Sequence, residues 1–203
     1  MKKLSLLITL SVLLTARVWA AEDSGFRPLF NGKDLTGWHV RNTQVHNSWS
    51  VENGVLKNVS SKDVHGTDLI TDEKFMNFTV KFDFMVPDHS NSGFYLRGRH
   101  EIQILGDYER GTNSISGNGS LYNFKAPDKF ALKPGNEWQS CEATIVGNKI
   151  TVVLNRIKIH DNVECRKATG GELDNHVDEP GPIMLQGDHG TVSFRNLRIK
   201  VLK

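Results

Sequence analysis

The 203-residue chain carries 25 basic and 23 acidic side chains, a formal net charge of +2. That balance excludes the charge bias of a nucleic-acid or anionic-membrane binder and favours neutral partners. The length suits one domain whose core needs no staples.

At the N-terminus, Lys2 and Lys3 precede the apolar run LSLLITLSVLL, which ends in VWAA. This is the pattern of a signal peptide over residues 1–20, with Val18 and Ala20 filling the small-residue positions before a cut after Ala20. The run falls short of the ~20 residues of a membrane span, so an uncleaved anchor is the alternative and no span is expected after processing. No cysteine lies near the cut to mark a lipoprotein. A periplasmic or secreted domain over residues 21–203 is therefore expected. In that compartment Cys141 and Cys165 could pair, although two cysteines define no framework.

Along the mature chain, period-2 alternation recurs between Gly, Asn and Pro, with no long helical periodicity. In NFTVKFDFMV, the residues Phe78, Val80, Phe82, Phe84 and Val86 share a core face, while Thr79, Lys81 and Asp83 share the other. In NSGFYLRGRHEIQIL, Phe94 and Leu96 alternate with Tyr95 and Arg97, and Ile102 and Ile104 alternate with Glu101 and Gln103. A two-residue loop at Gly98 and Arg99 would pair Leu96 with Glu101 and mix polar with core residues. A three-residue loop, Gly98 to His100, avoids this by setting Arg97 opposite Glu101 and Tyr95 opposite Gln103.

Residues 106–133 are rich in Gly, Asn and Ser and read as a long surface loop. CEATIVGNKITVVLN then predicts a tight hairpin at Gly147-Asn148, two residues suited to positive φ. In GPIMLQGDHGTVSFRNLRIKVL, a loop from Gly187 to Gly190 would pair Leu185 with Val192 and Ile183 with Phe194, leaving Gln186 on the opposite face and Asp188 and His189 at the rim. A change of apolar phase after Phe194 predicts a β-bulge at Arg195-Asn196. Numerous short strands of this kind predict an all-β sandwich of two antiparallel sheets.

If the two polar hairpins share a sheet, Tyr95, Arg97, Glu101, Gln103, Gln186, Asp188 and His189 gather acid, amide, aromatic and imidazole groups suited to a neutral polyol. Taken alone, Arg97 and Glu101 would be an ordinary surface ion pair worth ~0.2–1 kcal/mol.

These residues carry a resemblance. FRPLFNGKDLTGW, WSVENGVL, NSGFYLRG, HEIQIL, SLY, NEWQSCEATIVGNKI, ATGGELD and GPIMLQGDHGTVSFRNLRI together resemble the bacterial 3-keto-disaccharide hydrolases, also described as 3-keto-glycoside 1,2-lyases and hydratases. The resemblance covers nearly all of the mature chain. It implies a concanavalin-like jelly roll whose concave sheet holds a sugar, and activity on glycosides oxidised at carbon 3, which a sugar 3-dehydrogenase would supply. One departure is LNRIKI, where Arg156 follows Asn155 in place of the usual Asn-Gly; that turn belongs to the scaffold.

Ordinary glycosidases place two carboxylates about 5 to 5.5 Å apart, or wider. Here the strand reads Glu101-Ile102-Gln103, and an amide can act neither as nucleophile nor as acid. A ketone at carbon 3 acidifies the carbon-2 proton, so one base and one enolate stabiliser can support elimination at carbon 1, followed by hydration. On that reading His189 or Glu101 is the base, Arg97 holds the enolate, and Tyr95, Gln103, Tyr122, Gln186 and Asp188 bind the substrate. A divalent ion on Glu101, Asp188 and His189 could replace Arg97, although no compact ligand spacing supports it. Two other readings are a lectin-like module without turnover, and an ordinary glycosidase with Asp107 as the second acid.

Overall fold

The computed structural model describes residues 24–60 and 65–203; the expected signal peptide lies outside them. Among the described residues, thirteen strands form two antiparallel sheets, and one 3-10 turn, Tyr108–Arg110, lies outside them. The larger sheet runs in the order β11 (Ile157–Glu164), β10 (Lys149–Leu154), β9 (Gln139–Val146), β6 (Phe78–Met85), β13 (Val192–Val201), β4 (Val55–Asn58), β3 (Trp49–Glu52), and β1 (Arg27–Pro28) also pairs with β13. The smaller sheet runs β2 (Trp38–Val40), β5 (Leu69–Phe75), β12 (Gly181–Leu185), β7 (Asn91–Leu96), β8 (His100–Leu105). This is the jelly-roll sandwich expected from the alternation.

Strand β6 shows why the sheets pack. Phe78, Val80, Phe82 and Phe84 are buried in phase, and the residues between them are half-exposed. Phe82 stacks on Phe94 of the facing sheet with ring centroids 4.0 Å apart, and Phe194 packs against both. Burying such side chains contributes about 1.5–3 kcal/mol each, which drives the two apolar faces together. The hairpin at Gly147 forms as expected, with Val146 opposite Lys149. The register shift between Arg195 and Arg198, with Asn196 at φ 56°, is the expected bulge.

Two expectations of register are corrected. The β7–β8 loop is Arg97 to Arg99, not Gly98 to His100, so Tyr95 faces Glu101 and Gly93 faces Gln103. Arg97 and Gly98 both adopt positive φ, 54° and 66°, and Arg99 N–H donates to Leu96 O, which turns the chain one residue earlier. Side-chain phase survives the slip, because the register moves by two residues and the sheet period is two.

The C-terminal strands form no hairpin. β12 pairs with β5 and β7, whereas β13 belongs to the other sheet. Ile183, Leu185, Val192 and Phe194 are nevertheless all fully buried, because their faces meet across the sandwich instead of side by side. Cys141 and Cys165 are both buried and both free, and the Cys165 thiol donates to Lys167 O.

Candidate functional site

The site is built on the outer face of the smaller sheet. Cross-strand register aligns His39, Ile70, Met184, Tyr95 and Glu101 in one row across all five strands. Ile70, Tyr95 and Met184 form a small apolar floor separate from the main core, covered by Leu173. Two residues along each strand, Asp68, Gln186, Gly93 and Gln103 share that face by the same period. Gln186 is tied to this row by its N–H to Gly93 O at 2.9 Å.

Gly93 is the gap in that row, and the Glu101 carboxylate lies over it. A Cβ at Gly93 would sit 2.2 Å from Glu101 Oε1, so only glycine admits this side chain. Glu101 is 2% exposed, and its backbone is fixed on the edge strand from both sides. Its N–H donates to Thr169 Oγ1 at 2.8 Å, and its carbonyl accepts from Tyr122 N–H at 3.1 Å. Burial lifts the pKa of the Glu101 carboxyl to about 7, against the lowering effects of a Tyr95 hydrogen bond and of His189 and with the raising effects of Asp68 and Asp188. Desolvation is the dominant cause because the charged form loses water that these neighbours only partly replace.

Tyr95 is buried, and its hydroxyl is pushed far above its ordinary range by burial, then by Glu101. It therefore stays a neutral donor. Gly171, at φ 67°, passes so close that a Cβ there would lie 2.5 Å from the Tyr95 hydroxyl. Gly170 lies beside the Tyr122 ring, where a Cβ would be in ordinary van der Waals contact, 3.5 Å from Cδ1. Residues 169–174 thus wall the site. They are tied down by Arg41, which donates to Gly171 O and Glu172 O, and by Leu173 N–H to Gly98 O.

The connection from β12 to β13 supplies the exposed rim. His189 Nδ1 lies 2.5 Å from Asp188 Oδ1. The Asp188 partner raises the imidazole above its usual range, and the carboxyl of Asp188 is held below its own, because its bond to His189 and the imidazolium charge together outweigh burial. His189 is thus favoured as the protonated imidazolium. Gln103 Oε1, Gln186 Oε1 and Asn91 Oδ1 are all buried without a hydrogen-bond partner. Such unmet acceptors are uncommon in native interiors.

Arg97 is not part of this group. Its guanidinium turns away and donates to the carbonyls of Met76 (2.7 Å), Val177 (3.0 Å) and Gly147 (2.6 Å). The expected pairing with Glu101 is thus replaced by a structural clasp, a consequence of the earlier turn. Asp107 is held by Asn118 N–H and Arg110.

The carboxylates whose fields do reach Glu101 are Asp188 and Asp68, and sequence reasoning misses the second. Asp68 is 7% exposed, accepts from Gly187 N–H and pairs with Arg41 at 3.1 Å. Burial raises its pKa. Its one sequence signal is phase, two residues before Ile70. Arg41, Asn42, Thr67, Asp68 and Asp188 line an open cleft of about 420 Å³ beside the row. Among the described residues, no group of three or more His, Cys, Asp or Glu side chains is arranged to hold a metal ion. In particular, His189 Nδ1 is already engaged by Asp188.

The structure is thus a two-sheet antiparallel jelly roll with a polar, partly buried site on the outer face of its smaller sheet. The chain matches the 3-keto-alpha-glucoside-1,2-lyase-like domain family over residues 25–200 and belongs to it. No curated protein matches it.

Among solved structures it is similar to a candidate glycosyl hydrolase from Parabacteroides distasonis, at 27% identity and a TM-score of 0.71, covering 88% of this chain and 84% of that one. A second such protein from the same organism gives 24% identity and a TM-score of 0.70 over 90% and 96% of the two chains, a likeness of fold. The β-glucanase of Bacillus licheniformis shares the fold at 12% identity and a TM-score of 0.50, over 88% of this chain and 97% of that one. Family membership and the likeness to the first of these, a candidate glycosyl hydrolase at 27% identity, support a carbohydrate-active role. No helix among the described residues is long and apolar enough to cross a membrane.

Proposed function

We propose that this domain cleaves 3-keto-glycosides, with Glu101 as the base that removes the carbon-2 proton. The supporting observation is the Glu101 carboxylate itself, buried over Gly93 and titrating at about 7, where a general base is most effective at neutral pH. As the C2–H bond breaks, its electrons move into an enolate at carbon 3, and the Tyr95 hydroxyl, released as Glu101 takes up the proton, turns its one O–H to that oxygen. Tyr95 thereby takes the role that the sequence assigns to Arg97.

Reformation of the ketone then expels the carbon-1 oxygen, which takes its proton from the His189 imidazolium. Water adds to the resulting 1,2-unsaturated ketone. Its hydroxyl joins carbon 1, its proton returns to His189, and Glu101 returns its proton to carbon 2. The net result is hydrolysis.

Gln103 and Gln186 orient the ring through their unmet acceptors, Tyr122 shapes the wall, and Asp188 holds His189 in place. The ketone requires an earlier oxidation at carbon 3 by a sugar dehydrogenase, and the N-terminal sequence fits a reaction outside the cytoplasm. The same unmet acceptors also favour a second reading, a lectin-like module that holds a sugar without turnover.

The test follows aglycone release from a chromogenic 3-keto-glucoside and from its unoxidised counterpart. Release from the ketone alone, falling about 10²–10⁴-fold in Glu101→Gln, is the expected result. Full activity in both Glu101→Gln and His189→Ala would overturn the assignment. Binding of the glycoside with unchanged recovery would support the lectin-like reading, and equal release from the unoxidised glucoside would indicate an ordinary glycosidase.

A further inference from the structure

The outer face of the larger sheet carries a second polar hollow, remote in the fold from Glu101. Its volume is about 200 Å³, and its lining includes Lys81, Asp83, Ser140, Glu142, Arg156 and Arg198. Register explains the gathering. Glu142, Lys81 and Arg198 lie side by side on β9, β6 and β13, and Ser140, Asp83 and Arg195 form the next row. The bulge between Arg195 and Arg198 spreads those two rows apart at β13.

The carboxylates here are already matched. Glu142 lies 3.5 Å from Lys81, and Asp83 accepts from Arg195 at 3.1 Å and Asn196 at 2.8 Å. The lining holds Lys81, Arg156 and Arg198 beside Asp83 and Glu142.

Arg156 stands out among them. It occupies the second position of the two-residue turn between β10 and β11, with Asn155 at φ 49° and Arg156 at φ 68°. Glycine takes this conformation without steric conflict, whereas a side chain is strained there. Among the described residues the Arg156 guanidinium has no hydrogen-bond or ion-pair partner to offset that strain. A strained, exposed arginine is thus held at the mouth of this hollow with its planar fork of donors unspent. Carboxylates match that fork in bidentate geometry.

We propose that this hollow is a binding site for an acidic saccharide unit, with a uronate carboxylate seated on Arg156 and the ring against Val153 and Ser140. Its position on the opposite sheet makes it independent of the 3-keto-glycoside chemistry.

The test titrates the protein with glucuronate, glucose and acetate, and follows backbone amide shifts at Ser140, Glu142 and Arg156 by NMR. Glucuronate should shift these amides, with the other two ligands much weaker. Arg156→Gly should weaken glucuronate binding about tenfold or more, the loss of a charge-assisted bidentate contact, without lowering the melting midpoint. Glu101→Gln should bind glucuronate as the parent does. Acetate binding as tight as glucuronate, or unchanged glucuronate affinity in Arg156→Gly, would overturn the proposal.

Discussion

The hydrogen atom that serves as the side chain of Gly93 determines whether Glu101 can occupy its place. A methyl group there would collide with the carboxylate at 2.2 Å, and because Glu101 is enclosed, the collision cannot be relieved by a swing into water. Gly93→Ala is therefore expected to lower turnover of a 3-keto-glucoside about 10²-fold or more through a misplaced base. The fold should survive, as circular dichroism and the melting midpoint can verify. The pH profile of the parent should rise through about 7 as Glu101 ionises and fall above the raised pKa of His189. In Gly93→Ala the rising limb should move, because the carboxylate has changed surroundings. Alternation of polar and apolar residues makes the common face of Tyr95, Glu101 and Gln103 legible from sequence. The gap at Gly93 is not legible in the same way, since the carboxylate crosses diagonally from a neighbouring strand, and that contact depends on a register set by the turn.

At the level of elements, the β7–β8 hairpin is held by segments distant from it along the chain. Arg97 bonds three backbone carbonyls, and Arg99 makes a bidentate pair with Asp174, at 2.6 and 3.1 Å, while donating to Glu179 O. The exposed side of β8 is covered by residues 119–122 through Gly119 N–H to Gln103 O and Gln103 N–H to Ser120 O, which removes the hazard of a bare edge strand. Arg97→Ala should leave those three carbonyls unmet and destabilise the domain by about 3 kcal/mol or more, measured by urea denaturation. Below its lowered melting point, each folded molecule should retain near-parental kcat. A loss of kcat in fully folded protein would restore Arg97 to the reaction. Sequence alternation sets these arginines correctly at a hairpin tip. Their partners lie up to 80 residues further along the chain, where no local pattern points. The expected β12–β13 pairing is absent for a related reason: alternation specifies which face is buried, but not whether the complementary face lies beside it or across the core.

For the whole molecule, two buried groups oppose each other in their response to pH. His100 is fully buried beside Arg97 and Arg99, with both ring nitrogens unpartnered. Burial, followed by those two charges, lowers its pKa to about 4. The unfolded chain therefore binds this proton first, and stability falls as pH drops from about 6.5 to 4, by about 3 kcal/mol. Glu101 works in the reverse sense. Its proton is retained on folding until about pH 7 and lost from the unfolded chain near 4.5, so stability falls by about 3 kcal/mol as pH rises across that window. The two slopes oppose each other in the parent over the pH range they share. Glu101→Gln should become acid-sensitive between about pH 6.5 and 4, whereas His100→Phe should lose stability between about pH 4.5 and 7. Urea midpoints at successive pH values check both, and parallel profiles for all three proteins would contradict this account.

The short chain segment that bears Asp188 and His189 joins a strand of one sheet to a strand of the other, whereas Glu101 rides on the smaller sheet alone. The proposed proton donor and proton acceptor are consequently mounted on parts that stay aligned only while the two layers remain locked by contacts such as Phe82 against Phe94. Trimming that aromatic contact, as in Phe82→Leu, should let the layers slip and blunt turnover at temperatures where the backbone is still fully ordered, so that catalytic rate reports the tightness of the interior.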